Sequence, residues 1–147
     1  MFDHLEEISM STQANRIFPC MYYHDTQAAI DWLAAAFGFE ASMVVPGDDG
    51  TIVHAELTCG SGAVMIGSVK DNAFGMKTPR QLGGITHSIY VAVSDADAHY
   101  SRAKSHGAEI VMELTNTDYG SRDYSARDPE GYLWNFGTYL PEYAAGS

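Results

Sequence analysis

Only two cysteines, Cys20 and Cys59, occur in 147 residues. That is too few for a disulfide framework, and two reduced thiols in a cytoplasmic protein are the simpler expectation. The chain has no apolar run of about 18 residues, which excludes a membrane-spanning helix. Basic residues are scarce as well: 8 Lys and Arg stand against 19 Asp and Glu, a formal net charge of −11. Phosphate recognition depends on Lys and Arg, so nucleic acid and anionic membrane are poor partners. The acidic field favours solubility and cationic small molecules. The opening stretch MFDHLEEISMSTQA is acidic and lacks the apolar segment of a secretory signal. There is no phosphate-binding glycine loop, dinucleotide fingerprint, CxxC pair or nucleophile elbow. Ser61 sits in Gly60-Ser61-Gly62, which reads as a hairpin turn.

What is present is an ordinary globular composition, 46% apolar and 18% charged, arranged in two similar halves. Residues 16–25 read as a strand and 26–40 as a helix, capped by Asp25 or Thr26 and stopped by Gly38. Ile30, Leu33 and Phe37 fall on one face of that helix and should meet the core. Strands follow at 41–46, 51–58 and 63–69, joined by the turns Gly47-Asp48-Asp49-Gly50 and Gly60-Ser61-Gly62. After a Gly- and Pro-containing linker at 70–85, the order repeats: strand 86–95, helix 96–109, and strands 110–115, 121–128 and 132–139. A shift of 69 aligns Gly38 with Gly107, Ala34 with Ala103 and Glu40 with Glu109. The expected fold class is therefore α+β: two tandem βαβββ modules (16–69 and 86–139) forming a half-open, cup-shaped sheet with helices outside. The single domain spans 16–140, and mobile tails are expected at 1–15 and 141–147.

Residues two apart on a strand share a face. With Val53, Ala55 and Leu57 packed under the helix, His54 and Glu56 point into the cup. With Tyr124 and Ala126 likewise inward, Asp123, Ser125 and Arg127 become the matching cup residues. Phe18, Cys20 and Tyr22 share one further face, and Ser88 and Tyr90 another; aromatic faces suit a planar or cationic ligand. Cys20 is expected to be a buried, inert thiol, and His99 and His106 to be solvated. The pseudo-twofold is expected to bring His54 and Glu56 near Asp123 and Ser125, where a histidine among carboxylates is suited to proton transfer or to an atypical metal site.

The duplicated unit, the stretch DPEGYLWNF at 128–136 and the preceding GSRDYSARD at 120–128 resemble the vicinal oxygen chelate superfamily. That superfamily includes glyoxalase I, bleomycin-resistance proteins and extradiol dioxygenases. The resemblance implies four His or Glu metal ligands, one on the first and one on the last strand of each module. Carried over, those positions fall on Phe18, Ile66, Ser88 and Asn135, none a usual ligand of a divalent metal. The expectation is accordingly no metal and no cofactor. The resemblance then points to the bleomycin-resistance type: a homodimeric small-molecule-binding protein suited to drug sequestration. The alternative is a lyase, isomerase or dioxygenase-like enzyme that uses His54 and Glu56 or an atypical metal site.

Overall fold

The computed structural model describes residues 15–71 and 73–141. The expected tails lie outside the described residues except for Asn15 and Pro141. The chain is α+β, with strand–helix–strand–strand–strand occurring twice. The first module contains β1 (Cys20–Tyr23), α1 (Thr26–Phe37), β2 (Glu40–Pro46), β3 (Ile52–Cys59) and β4 (Gly62–Ser68). The second contains β5 (Ile89–Ala92), α3 (Ala96–Ser105), β6 (Glu109–Asn116), β7 (Arg122–Arg127) and β8 (Leu133–Gly137). The two sheets have equivalent strand orders, β1-β4-β3-β2 and β5-β8-β7-β6, with the first and last strand of each module paired in parallel. Among the described residues, no helix is long and apolar enough to cross a membrane.

Local chemistry sets the matching ends of the modules. Asp25 and Asp95 cap α1 and α3 by accepting the N–H of Ala28 and Ala98. Gly38 and Gly107 follow those helices at φ 80° and 82°, the left-handed conformation that lets the chain turn directly into β2 and β6. The linker carries a short helix, α2 (Pro79–Leu82), started by a capping box between Thr78 and Gln81.

Each sheet packs one face under helix and leaves the other open. Ile30, Leu33 and Phe37 are buried as expected, together with Met21, Tyr23, Ala55, Leu57 and Ile66 from the first sheet. Tyr124, Ala126, Trp134 and Phe136 from the second sheet join the same core. The helices also tie the modules together. Arg102 on α3 donates to the carbonyls of Ala34 and Ala35 at the end of α1. Trp32 on α1 donates to the carbonyl of His106.

Three expectations are corrected. Ile52, not Val53, takes the core position at the start of β3. A register shift between Val45 and Pro46 turns Val53 outward, leaving it 47% exposed. Cys20 is exposed rather than buried, because Met21 and Tyr23 occupy the core face of β1. His99 is half-buried rather than solvated: its Nδ1 lies 2.5 Å from the Tyr124 hydroxyl and its Nε2 3.0 Å from the Phe37 carbonyl.

Candidate functional site

The open faces of the two sheets carry the polar residues singled out from the sequence. On the first, His54 Nε2 lies 2.9 Å from Glu56 Oε2, and both side chains are about one-third exposed. His54 lines a shallow concavity of about 170 Å³ with Cys20, Tyr22, Val53 and Met65. Phe18, 37% exposed, precedes β1 and accepts a weak bond from the Cys20 thiol through its carbonyl.

On the second face, Tyr90, Asp123 and Ser125 line a concavity of about 330 Å³ together with Met112, Tyr119, Asn135 and Tyr139. Ser125 is buried and donates to Asn135 Oδ1 at 2.7 Å; the Asn135 amide donates in turn to Ser88 Oγ at 2.9 Å. Asp123 accepts from the hydroxyls of Ser121 and Tyr119. Gly137 stands opposite Asp123 across the β7–β8 ladder, and a Cβ there would lie 2.1 Å from Asp123 Oδ1. The absence of a side chain at 137 is what lets the carboxylate settle onto the sheet.

Among the described residues, His54 and Glu56 bond to each other, Asp123 and Ser125 bond within the second module, and the 170 and 330 Å³ concavities are each lined by one module. Arg127 shares the strand face of Ser125 but pairs with Glu109 and lines a different hollow beside Arg80 and Gly131. Sequence reasoning missed Tyr119 and Tyr139. The alternation Asn135, Gly137, Tyr139 carries a period-two signal for the second, whereas Tyr119 lies in a loop where no periodicity applies.

The residues that carry the resemblance do different work. Asp128 is 1% exposed, and its carboxylate accepts from the Tyr23 hydroxyl, the Trp134 indole and the N–H groups of Glu130 and Tyr132. Burial pushes its pKa up, and those donors oppose the shift. Glu130 accepts the N–H of His24 and Asp25, and the Tyr132 hydroxyl donates to the Tyr22 carbonyl. The turn thus clamps the second module onto the β1–α1 junction of the first.

The glyoxalase/bleomycin resistance protein/dioxygenase superfamily matches residues 12–136. The chain belongs to that superfamily. Among its relatives, an uncharacterized protein of Mycobacterium bovis is 35% identical over 121 residues, covering 81% of this chain and 80% of the relative. The crystal structure of TioX from Micromonospora sp. ML1 matches with a TM-score of 0.68 and 34% identity, over 84% of this chain and 94% of TioX. A glyoxalase I mutant from Zea mays shares the fold at 17% identity and a TM-score of 0.63, over 82% of this chain and 44% of the maize chain.

The metal that many superfamily members use does not fit the residues here. Phe18 has no donor atom, and Ile66 is 2% exposed in the core rather than on the open face. Ser88 and Asn135 are neutral and bonded to each other. Among the described residues, no three of His, Cys, Asp and Glu gather as a metal-binding group.

Proposed function

We propose that this superfamily member is a small-molecule-binding protein that holds its ligand on the open sheet faces without a metal and acts by sequestration rather than turnover. The observation that carries this reading is the chemistry at the positions the resemblance assigns to metal ligands: Phe18 offers no donor atom, Ile66 is turned into the core, and Ser88 and Asn135 are neutral groups already committed to each other. Such a set cannot stabilise a developing enolate as a bound Lewis acid would. Cys20, Tyr22, His54 and Glu56 would contact the ligand from one face, and Ser88, Tyr90, Asp123 and Ser125 from the other. Phe18 and Arg127 stand at the margins.

The protein works as a homodimer in this reading. The concavities around His54 and around Asp123 are each lined by one module, and a second copy would supply the opposing wall. Edge strand β2 also leaves Met43, Val44 and Val45 between 40% and 47% exposed, more apolar edge than a free strand normally shows. The two free thiols, Cys20 and Cys59, support a reducing cytoplasmic setting.

The His54–Glu56 contact supports a second reading, a metal-free lyase or isomerase with one of these groups as base. Two measurements separate the readings. Elemental analysis after purification without added metal should find none at stoichiometric level, and bound Zn, Ni, Fe or Mn would overturn the proposal. A thermal-shift screen of planar and cationic drugs should find ligands that are recovered unchanged; a chemically altered ligand would favour the enzyme.

A further inference from the structure

The open face of the second module carries three large rings that the core does not use. Tyr119 is 64% exposed, Tyr139 48% and Tyr90 40%. All three border the 330 Å³ concavity around Asp123. They are pinned rather than free. The Tyr90 hydroxyl donates to the Tyr139 carbonyl at 2.6 Å, and the Tyr119 hydroxyl donates to Asp123 Oδ2 at 3.3 Å. The Tyr119 and Tyr139 rings meet edge to face at 5.9 Å. The Tyr139 N–H donates to Ser121 Oγ, whose hydroxyl donates to Asp123. The Tyr90 and Tyr119 side chains, held through their hydroxyls, have already lost rotamer freedom, and the Tyr139 ring packs against Tyr119, so a ligand would have less to order.

The charge balance selects among ligands. Among the described residues, Asp123 accepts from the neutral hydroxyls of Ser121 and Tyr119, and the ion pairs form at Glu56, Glu109 and Asp97 rather than at Asp123. Aromatic ring faces are negative, and so is the carboxylate beside them. An anionic ligand would meet repulsion from both. A neutral apolar ligand would gain contact area but leave the carboxylate without a cation. Ser125 and Asn135 satisfy each other, which leaves the tyrosines and Asp123 as the groups that discriminate.

We propose that Tyr90, Tyr119 and Tyr139 with Asp123 form a subsite for the head group of an organic cation, a quaternary ammonium or alkylated amine. The proposal rests on the reading of the open faces as ligand-binding surfaces and specifies what the second one selects. The cavity lies at the small end of ligand pockets, so it would hold a cationic head while the rest of a larger ligand lies outside.

The test compares choline with 3,3-dimethyl-1-butanol, its neutral isostere, by titration calorimetry and by chemical-shift mapping on the full-length protein. Choline should bind at least about tenfold more tightly, with shifts at Tyr119, Tyr139 and Gly137. Affinity should weaken as NaCl rises from low concentration toward the molar range. Tyr119→Leu should weaken choline by about two- to fivefold. Asp123→Asn should do so more strongly, with melting temperatures showing that both variants are folded. Equal binding of the two probes, no choline binding, or choline binding untouched by Asp123→Asn would each overturn the cation subsite. If planar neutral compounds still map to this face, the general ligand-binding reading survives that failure; if nothing binds either face, both fall.

Discussion

Tyr23 on β1 donates a 2.6 Å hydrogen bond to the buried carboxylate of Asp128, 105 residues away in the chain. It is one of four donors that satisfy the buried Asp128 carboxylate, and it joins the two modules. Tyr23→Phe removes only the hydroxyl. It should cost about 1–3 kcal/mol, because the carboxylate stays buried with one donor fewer. Urea unfolding checks this, and a loss below about 0.5 kcal/mol would mean that the clamp is not energetically significant.

Glu130 should behave similarly from the rim of the same turn. Its carboxylate takes the N–H groups of His24 and Asp25, at the entrance to α1. Glu130→Ala should destabilise by about 1–3 kcal/mol, while Glu130→Gln, which keeps an acceptor, should recover part of the loss. Equal losses for the two substitutions would point to packing rather than hydrogen bonding.

His99 predicts a pH dependence. Burial lowers its pKa from the ordinary 6.5, with the nearby Arg102 charge adding to the effect and the bond to the Phe37 carbonyl opposing it. Since a carbonyl only accepts, Nε2 carries the proton and Nδ1 accepts from the Tyr124 hydroxyl. The unfolded state therefore takes up a proton at higher pH than the native state. The stabilising contribution is complete above 6.5 and is lost as pH falls through 6.5 toward the lowered native value. Denaturation midpoints from pH 8 to 5 should fall on acidification, and His99→Gln should flatten that slope; an unchanged slope would refute the assignment.

At His54 and Glu56 the expectation is the opposite kind. Both are about one-third exposed, and His54 lines an open concavity. His54→Ala and Glu56→Ala should change stability by less than about 1 kcal/mol while altering ligand affinity. Losses of several kcal/mol would make the pair structural.

Gly137→Ala should cost about 1–3 kcal/mol, because its Cβ would sit 2.1 Å from Asp123 Oδ1. Combining it with Asp123→Ala removes the tightest part of the clash and leaves the Tyr90 hydroxyl at 2.8 Å. The double variant should therefore be more stable than the sum of the single effects predicts. Strict additivity would show that the carboxylate moves aside freely.

Much of this fold was legible because both modules use the same local devices: an Asp cap, an apolar helical stripe and a glycine that starts the next strand. The open-face positions of His54, Glu56, Asp123 and Ser125 followed from strand alternation. That logic failed at Val53, where the register shift moves one residue out of step. It failed differently at His99, whose surroundings depend on where the end of α1 lies, a tertiary fact without a local signature. The same holds for the signature turn. Its residues were conspicuous in sequence, but their partners at Tyr22 to Asp25 belong to the other module. The separation of the two polar sets likewise depends on how the modules dock through α1 and α3, which strand parity does not address.

The clamp also bears on the order of events at the ribosome. Asp25 is polymerised 105 residues before the glutamate that accepts its N–H, an interval of about 5–20 s at ordinary elongation rates. For most of that interval the residues of α1 have been made while the acceptors that complete its entrance have not. Final locking of the first-made module must therefore await the last-made turn, and a chain terminated before Asp128 would lack it permanently.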